Sequence, residues 1–373
     1  MRDLLVVVLA LALAGGAAWL AVGCGGGGGD SGSDSSSGSD SSSGGPSFDA
    51  AAQSFLDTYV EDDGRVSRKD QGGDTVGEGQ AYGMLVAGRG GDEDRFNSIW
   101  GWTKDNIRRP DGLISFLWKD GKVADPEAAS DADVDATRAL LVASCRFKNP
   151  ALRNEAIELA KAIMSEETAD FLGAPVLAAG PWARKAPVTV NPSYFAPATF
   201  AALGDVTGDG RWGSLSASGR TVTDLLMPNE GDLPPDWGQL KGNKAVPSGT
   251  PANPSGTPIY GFDAPRTLVR FAEDPDPAGR RIAAKAWPAF EGLKPSQIPV
   301  EHDLSGKATG TTQHPVALVA AAGAAQAAGD TRSAAKLLDA AEALDKKTPT
   351  YYGSAWVALG RIFLQSDALK VCA

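Results

Sequence analysis

Three short segments of the sequence carry acidic side chains that could perform acid–base chemistry. Glu78 lies between two glycines in "GEGQAYGM", and Asp131 is the first of three acids in "DADVDATRALL". The third segment, "YGFDAPRTLVRF", places Asp263 three positions before Arg266. Carboxyl groups that donate and accept protons are common agents of general acid–base catalysis. These residues are therefore candidates for the catalytic groups of an enzyme.

Each segment also has a simpler structural explanation. Glu78 could stabilise a helix N-terminus through the helix dipole, a contribution of about 0.3–1 kcal/mol. Asp131 could cap the helix that follows it. Asp263 and Arg266 could form a surface ion pair, because residues three apart are neighbours on a helix. The three acids within residues 131–135 nevertheless exceed what capping requires.

The composition excludes some classes of partner. The chain has 373 residues, a formal charge of -11 and 42% hydrophobic residues. The negative charge argues against a nucleic-acid partner, because phosphate binding needs clustered Lys and Arg. A neutral or cationic ligand fits better. The few scattered His and Cys residues match no familiar zinc-site spacing, and we expect no metal or redox cofactor.

The N-terminal segment predicts an exported protein. In residues 1–24, a long apolar run follows Arg2 and ends in "AVGC", which resembles a bacterial lipobox. Cys24 would then be the lipidated first residue of a protein held at the periplasmic or extracellular side of a membrane; an uncleaved membrane anchor is the alternative. Residues 25–46, rich in Gly, Ser and Asp, predict a flexible linker. Cys145 and Cys372 could form a disulfide or remain free thiols.

Residues 47–373 predict one all-helical domain, because strand-like alternation is nearly absent. Twelve helices are predicted, at 47–60, 79–89, 92–108, 131–147, 152–166, 194–203, 212–227, 264–273, 278–289, 315–328, 331–344 and 352–365. Short polar turns between several of them indicate antiparallel helical hairpins. Six hairpins closed into a ring would form an (α/α)6 barrel, and no repeat of the kind a solenoid requires is present. The stretches 109–130, 167–193 and 228–262 are predicted as long irregular loops, which are usually functional.

Taken together and in chain order, the segments resemble glycoside hydrolase family 8. "GEGQAYGM" resembles the acid-bearing segment of that family, and "ASDADVDATRALLVASCRF" resembles its signature. "NPSYFAPATF" and "YGFDAPRTLVRF" follow in the family's order, and "PPDW" and "YYGSAWVALG" also match. The resemblance covers residues 47–366 and implies an inverting hydrolase on an (α/α)6 barrel. This chain departs from the family's pattern at Gly77, Ala136, Thr137 and Phe262, but every carboxylate is present.

The resemblance also implies a role for each charged residue. Glu78 would be the general acid, kept protonated by burial and a neighbouring carboxylate, which requires that no cation lie nearby. Asp263 would be the general base, with its carboxyl roughly 6.5–9.5 Å from that of Glu78 to leave room for a water molecule. Asp131 would contact the distorted sugar. Arg266 would orient Asp263 and keep it ionised.

Aromatic side chains are expected to stack on the apolar faces of the sugar rings. The candidates are Trp118 first, and then Tyr194, Phe262 and Tyr352. Trp100 and Trp356 lie on helical stripes and are predicted to belong to the core instead.

The expected substrate is a β-1,4-linked polysaccharide, with cellulose or a related β-glucan as the first choice. Exported bacterial members of the resembled family often act on cellulose, including alongside the machinery that synthesises exopolysaccharide. Chitosan is the runner-up within the family, and xylan and mixed-linkage glucan remain open. A polysaccharide lyase is a more remote alternative, although His302 and His314 lie in no recognisable motif. A surface lipoprotein that binds glycans without cleaving them is a further alternative.

Overall fold

The computed structural model describes residues 46–365, together with residues 369 and 371, and contains twelve α-helices in that part of the chain. They are α1 (Pro46–Tyr59), α2 (Gly77–Gly90), α3 (Glu93–Asn106), α4 (Ser130–Arg146), α5 (Pro150–Glu166), α6 (Pro197–Thr207), α7 (Arg211–Leu226), α8 (Pro265–Ala272), α9 (Pro277–Lys285), α10 (Pro315–Ala327), α11 (Thr331–Lys347) and α12 (Tyr351–Gln365). Each of the twelve predicted helices is confirmed, with its ends shifted.

Prolines explain two of the larger shifts. The ninth helix ends at Lys285 and gives way to a 3-10 turn at Trp287–Ala289, because Pro288 has no amide hydrogen to continue the helical ladder. The sixth helix begins at Pro197 and not at 194, since proline is well suited to the first turn of a helix. A separate 3-10 turn, Pro192–Tyr194, precedes it.

Alternate helices form a closed inner ring. Helices α2, α4, α6, α8, α10 and α12 each pack against the next, and α12 returns to α2. Every residue of α4 from Ser130 to Ala143 is buried, as the continuous apolar pattern of this helix predicted. The outer helix α3 buries only a stripe that includes Phe96, Ile99 and Trp100. The fold is therefore an (α/α)6 barrel, as expected.

The expectation that strands are nearly absent is wrong, because eight short strands lie between the helices. They are β1 (Thr75–Val76), β2 (Ser115–Lys119), β3 (Lys122–Ala128), β4 (Thr168–Phe171), β5 (Ala174–Leu177), β6 (Val188–Val190), β7 (Trp237–Lys241) and β8 (Lys244–Ser248). They form three antiparallel sheets in the orders β1-β2-β3, β4-β5 and β6-β7-β8. Each of the three stretches predicted as irregular loops thus contains a β-hairpin.

The sheets lie at one end of the barrel. Each inner helix from α2 to α10 is joined to the outer helix that follows it by a short turn, such as 91–92 or 208–210, and α11 reaches α12 through the short turn 348–350. Neighbouring inner and outer helices therefore run antiparallel, and all inner helices point the same way. The long connections, 107–129, 167–196 and 227–264, lead into the N-termini of inner helices and carry the strands. The sheets therefore surround the end where the inner helices begin.

Several predictions concern the termini of the chain. Cys145 is disulfide-bonded; Cys372, for which both a disulfide with Cys145 and a free thiol were considered, lies outside the described residues. The predicted signal segment 1–24 with Cys24, and linker residues 25–45, also lie outside them. Within the part of the chain that the structure describes, no helix is both long enough and apolar enough to cross a membrane.

Candidate active site

One guanidinium group joins the three predicted carboxylates. Arg266 Nη1 donates to Glu78 Oε2 at 3.0 Å and to Asp131 Oδ2 at 2.8 Å. Arg266 Nη2 donates to Asp263 Oδ1 at 2.9 Å. A guanidinium presents several donors in a fixed plane, so a single arginine can hold three acceptors in defined directions. The four charged residues singled out from the sequence therefore form one site.

The barrel explains why these side chains meet. Glu78 is the second residue of α2 and Asp131 is the second residue of α4. Asp263 lies just before α8, and Arg266 is the second residue of that helix. Three inner helices thus begin at the site with their N-termini, where the helix dipole stabilises negative charge. The acids occupy positions at which helical backbone and a buried cation both favour carboxylates.

Burial distinguishes the three carboxylates. The side chain of Asp131 is only 4% exposed and that of Arg266 is 2% exposed. The side chains of Glu78 and Asp263 are 20% and 32% exposed. Glu78 and Asp263 are therefore the two acids that a ligand or water can reach, whereas Asp131 lies behind them.

The expectation that no cation lies near Glu78 is wrong. Arg266 contacts its carboxylate although the two residues are 188 positions apart in the sequence. The hydroxyl of Tyr82 also donates to Glu78 Oε2, at 3.3 Å. Arg266 therefore serves all three acids, and not Asp263 alone as expected.

Asp131 is a buried site carboxyl with a raised pKa. Burial raises its pKa to about 8, because the charged form loses its hydration. The charge of Arg266 opposes this shift, and the charge of Glu78 adds to it. At neutral pH the site therefore keeps a proton on the buried member of the group.

The structure brings three of the four proposed stacking residues to this group. The Arg266 guanidinium carbon lies 5.3 Å from the centre of the Tyr194 ring. Phe262 is half-buried and directly precedes Asp263. The hydroxyl of Tyr352 donates to the carbonyl of Phe262 at 2.9 Å, so this buried tyrosine supports the segment that carries Asp263.

Trp118 occupies a different position. It lies on β2, paired with Thr75 of the strand that leads into α2. Its half-buried ring meets Trp102 edge to face at 5.4 Å, and the Arg65 guanidinium lies 5.2 Å from its centre. Its described contacts are with these neighbours and do not include the carboxylates. Trp100 and Trp356 are buried, which confirms their assignment to the core.

Asp236 is a site residue that the sequence analysis did not identify. It lies in "PPDW", immediately before β7, and its Oδ1 accepts hydrogen bonds from the backbone N–H groups of Gly261 and Ala264. Burial raises the pKa of Asp236 to about 7, and the charge of Asp263 adds to the shift. The only signal in the sequence was the resemblance of "PPDW" to a family segment, which carried no role.

A second acidic pair lies deeper, behind Asp131. Asp133 and Glu167 are both fully buried, and Asp133 Oδ1 accepts from the backbone N–H of Ile114 at 3.0 Å. Burial raises the pKa of both carboxyl groups well above the ordinary range, and the charge of Asp131 adds to each shift. Glu167 and Asp133 also share a side-chain hydrogen bond, which raises the pKa of Glu167 further.

Because of this pair, we expect the stability of the folded protein to depend on pH. A carboxyl whose folded-state pKa is raised contributes stability that is fully present below the unfolded pKa and is lost as pH rises through the folded pKa. Replacing Glu167 with glutamine removes one such titrating carboxyl, and the glutamine amide can donate a hydrogen bond to Asp133 Oδ2. We expect the free energy of unfolding of the variant, obtained from thermal melts, to exceed that of the unmodified protein. This difference should grow between about pH 5 and about pH 9 and reach about 1–3 kcal/mol.

The matched control is Glu158→Gln, which changes an exposed glutamate paired with Lys161 on α5, the helix that ends directly before Glu167. Its thermal midpoint should differ little from that of the unmodified protein at either pH, because exposed ion pairs contribute little. A gain for Glu167→Gln that is the same at both pH values would contradict the assignment of a raised pKa.

Comparison with known proteins identifies the family. The model of the glycosyl hydrolases family 8 matches residues 39–365. A probable endoglucanase of Novacetimonas hansenii is 32% identical over 209 residues, which cover 52% of this chain and 59% of that protein. An endoglucanase of Cellulomonas uda is 27% identical over 51% of this chain and 55% of that protein. The chain spans a little more than half the length of these two curated relatives.

Solved structures agree with this result. An endo-β-1,4-glucanase from Acetobacter xylinum matches with a TM-score of 0.72 and 26% identity, covering 84% of this chain and 98% of that chain. A β-1,3-1,4-glucanase from Paenibacillus sp. X4 matches with a TM-score of 0.75 over 85% of this chain and 90% of that chain; at 20% identity this likeness shows the fold alone. With most of its length matched by the family model, the chain belongs to glycosyl hydrolases family 8.

Proposed function

We propose that this protein is an inverting, endo-acting β-1,4-glucanase in which Glu78 is the general acid and Asp263 is the general base. One observation carries the proposal: the two exposed carboxylates accept from different nitrogens of the same guanidinium. They therefore stand close together with Arg266 between them. Inversion needs such a gap, roughly 6.5–9.5 Å between the carboxyls, for a water molecule.

The substrate class rests on the relatives. The curated proteins from Novacetimonas hansenii and Cellulomonas uda are named endoglucanases, and the similar structure from Acetobacter xylinum is that of an endo-β-1,4-glucanase. A β-1,4-glucan such as cellulose is accordingly the proposed substrate. The charge balance agrees, because a neutral polymer meets no repulsion from a chain of net charge -11.

The proposed base acts on water. Arg266 Nη2 holds Asp263 Oδ1, and Asp263 is the most exposed of the three carboxylates that Arg266 contacts. Its second oxygen takes a proton from a water molecule, whose oxygen forms the new bond to the anomeric carbon. The glycosidic bond breaks on the opposite face of the sugar, so the product has inverted configuration.

The proposed acid must hold a proton when the substrate is bound. Burial raises the pKa of Asp131 to about 8, so at neutral pH a proton resides on this carboxyl, which shares Arg266 Nη1 with Glu78. A bound sugar excludes water from the site, which favours a proton on a carboxyl that faces the sugar. We propose that the proton then resides on Glu78, which transfers it to the leaving glycosidic oxygen.

The anomeric form of the first product tests this proposal. We expect NMR spectra recorded during hydrolysis of a soluble β-1,4-glucan to show the α-anomer first, with the β-anomer appearing later by mutarotation. A β-anomer as the first product would indicate retention and contradict the mechanism. An ultraviolet-absorbing unsaturated product would indicate a lyase instead.

Chitosan is the second candidate substrate. Glu78, Asp131, Asp236 and Asp263 give the site four carboxyl groups, which would attract the cationic sugars of that polymer. The raised pKa values of Asp131 and Asp236 reduce this negative charge near neutral pH, which favours the glucan. Initial rates on β-1,4-glucan, mixed-linkage glucan, xylan and chitosan separate these candidates.

We propose in addition that the protein is exported and lipid-anchored at Cys24, at the periplasmic or extracellular side of a membrane. There it would meet a glucan made by the exopolysaccharide synthesis machinery. The lipobox-like "AVGC" and the linker that follows it support this location. Cell fractionation tests it: recovery of the protein in the soluble fraction would contradict the anchor.

A further inference from the structure

The segment that carries the proposed base is fixed on both sides of Asp263. Tyr260 exchanges two backbone hydrogen bonds with His302, at 3.1 and 2.9 Å. The carbonyl of Phe262 accepts the hydroxyl of Tyr352. The carbonyl of Ile259 accepts the backbone N–H of Asp236 at 2.8 Å. The conformation of this segment therefore depends on residues that are distant in the sequence.

Asp236 makes the contacts nearest to the base. Its Oδ1 accepts the N–H of Gly261 at 2.9 Å and the N–H of Ala264 at 2.7 Å. These two donors flank Phe262 and Asp263, so one carboxylate oxygen fixes the backbone at both ends of the short arc 261–264. The N–H groups at the start of a helix have no partner within the helix, and Ala264 lies directly before α8. Asp236 supplies that acceptor from another part of the chain.

The contact is close as well as polar. A Cβ atom at position 261 would lie 2.5 Å from Asp236 Oδ2, closer than any van der Waals contact allows. Glycine at this position therefore lets the carboxylate lie directly against the backbone. The charges of Asp236 and Asp263 also influence each other, which places both carboxyls in one electrostatic neighbourhood.

We propose that Asp236 is a positioning residue for the base: it fixes the arc 261–264 so that the Asp263 carboxylate faces the catalytic water. This inference rests on the proposed role of Asp263. Asp236 touches neither the sugar nor the water in this proposal. It acts through the backbone of the residues on either side of the base.

The decisive comparison is between Asp236→Ala and Asp236→Asn. Alanine removes the acceptor of both N–H groups, whereas asparagine keeps an oxygen of the same reach. On a soluble β-1,4-glucan we expect the alanine variant to lose about 10–100-fold in kcat, because a small displacement of a catalytic group has an effect of this size. KM should change much less. Asparagine should restore most of kcat; an asparagine variant as impaired as the alanine variant would overturn the hydrogen-bonding role.

Asp274→Ala is the matched control. Asp274 is a buried carboxylate just beyond the other end of α8, where it pairs with Arg220 and accepts the N–H of Asp276. This variant should lower the thermal midpoint and leave kcat unchanged. An equal loss of kcat in the Asp274 and Asp236 alanine variants would show that general destabilisation, and not positioning, explains the effect.

Two further variants keep the inference testable. If the Asp236→Ala protein does not fold, Gly261→Ala displaces the Asp236 carboxylate without removing a backbone donor, and wild-type kcat in this variant would overturn the proposal. The Asp263→Asn variant distinguishes failure of the proposed function from failure of the positioning role. An active Asp263→Asn protein would refute the proposed function itself. An inactive one beside a fully active Asp236→Ala protein would refute only the positioning role.

Discussion

Replacing Glu78 with glutamine is expected to lower kcat on a polymeric β-1,4-glucan by about 10²–10⁴-fold, the usual contribution of general acid catalysis. The amide has nearly the shape of the carboxyl group and can still accept from Arg266, but it cannot protonate the leaving oxygen. Initial rates of reducing-end release by the variant and the unmodified protein measure the effect.

The leaving group provides the control for this prediction. An aryl β-glycoside with an acidic phenol departs with little protonation, so Glu78→Gln should lose much less activity on it than on the polymer. Asp131→Asn is the matched variant, because Asp131 contacts the same nitrogen of Arg266. It should be impaired to a similar degree on both substrates. Equal losses for Glu78→Gln on the two substrates would show that Glu78 is not the acid.

Replacing Asp263 with asparagine is expected to lower kcat by about 10²–10⁴-fold on polymer and aryl glycoside alike. The base acts on the attacking water, and that step requires the same proton transfer whichever group leaves. Asparagine can still accept from Arg266 Nη2, so the loss reflects basicity and not packing. The measurement is kcat on both substrates under the conditions used for the Glu78 variant.

Oligosaccharide binding separates this role from a binding role. An interaction needed only in the transition state can be removed without weakening the ground-state complex. Calorimetric titration of the Asp263→Asn protein with a β-1,4-gluco-oligosaccharide should therefore give a Kd close to that of the unmodified protein. Lost binding together with lost activity would assign Asp263 to substrate binding.

The helices could be predicted because their signals are local. The continuous apolar run of α4 required cover on all sides, and the structure places this helix in the inner ring. Phe96 and Trp100 in α3 follow the spacing of a helix with one buried face, and the structure places α3 outside the ring. The charged residues of the site were also recognisable, since each stands in a segment with a distinctive order of residues.

The hairpins were missed because their strands are short and only partly alternating. A local signal was present: Asp120 and Gly121 in "WKDGKV" both adopt positive φ, as expected for an Asp-Gly turn between two strands. Gly173 and Gly242 mark the corresponding turns of the other two hairpins. These turn residues are sufficient to predict the strands around the site.

The contacts that define the site could not be predicted from local pattern. Arg266 lies 188 positions from Glu78 and 135 from Asp131, so its role as their common partner follows only from closure of the ring. Asp236 reaches backbone groups 25 and 28 positions away, and no residue type marks a side chain that accepts from a distant main chain. Both contacts arise from tertiary structure.

The short turns at the far end of the barrel, among them 208–210, have a practical consequence. They lie opposite the carboxylates and join helices that already pack along their length. A carbohydrate-binding module or an immobilisation tag inserted there would project away from the polysaccharide. The hairpins at the other end could meanwhile be exchanged to alter chain-length preference. Attachment and specificity could thus be engineered separately, on opposite faces of one molecule.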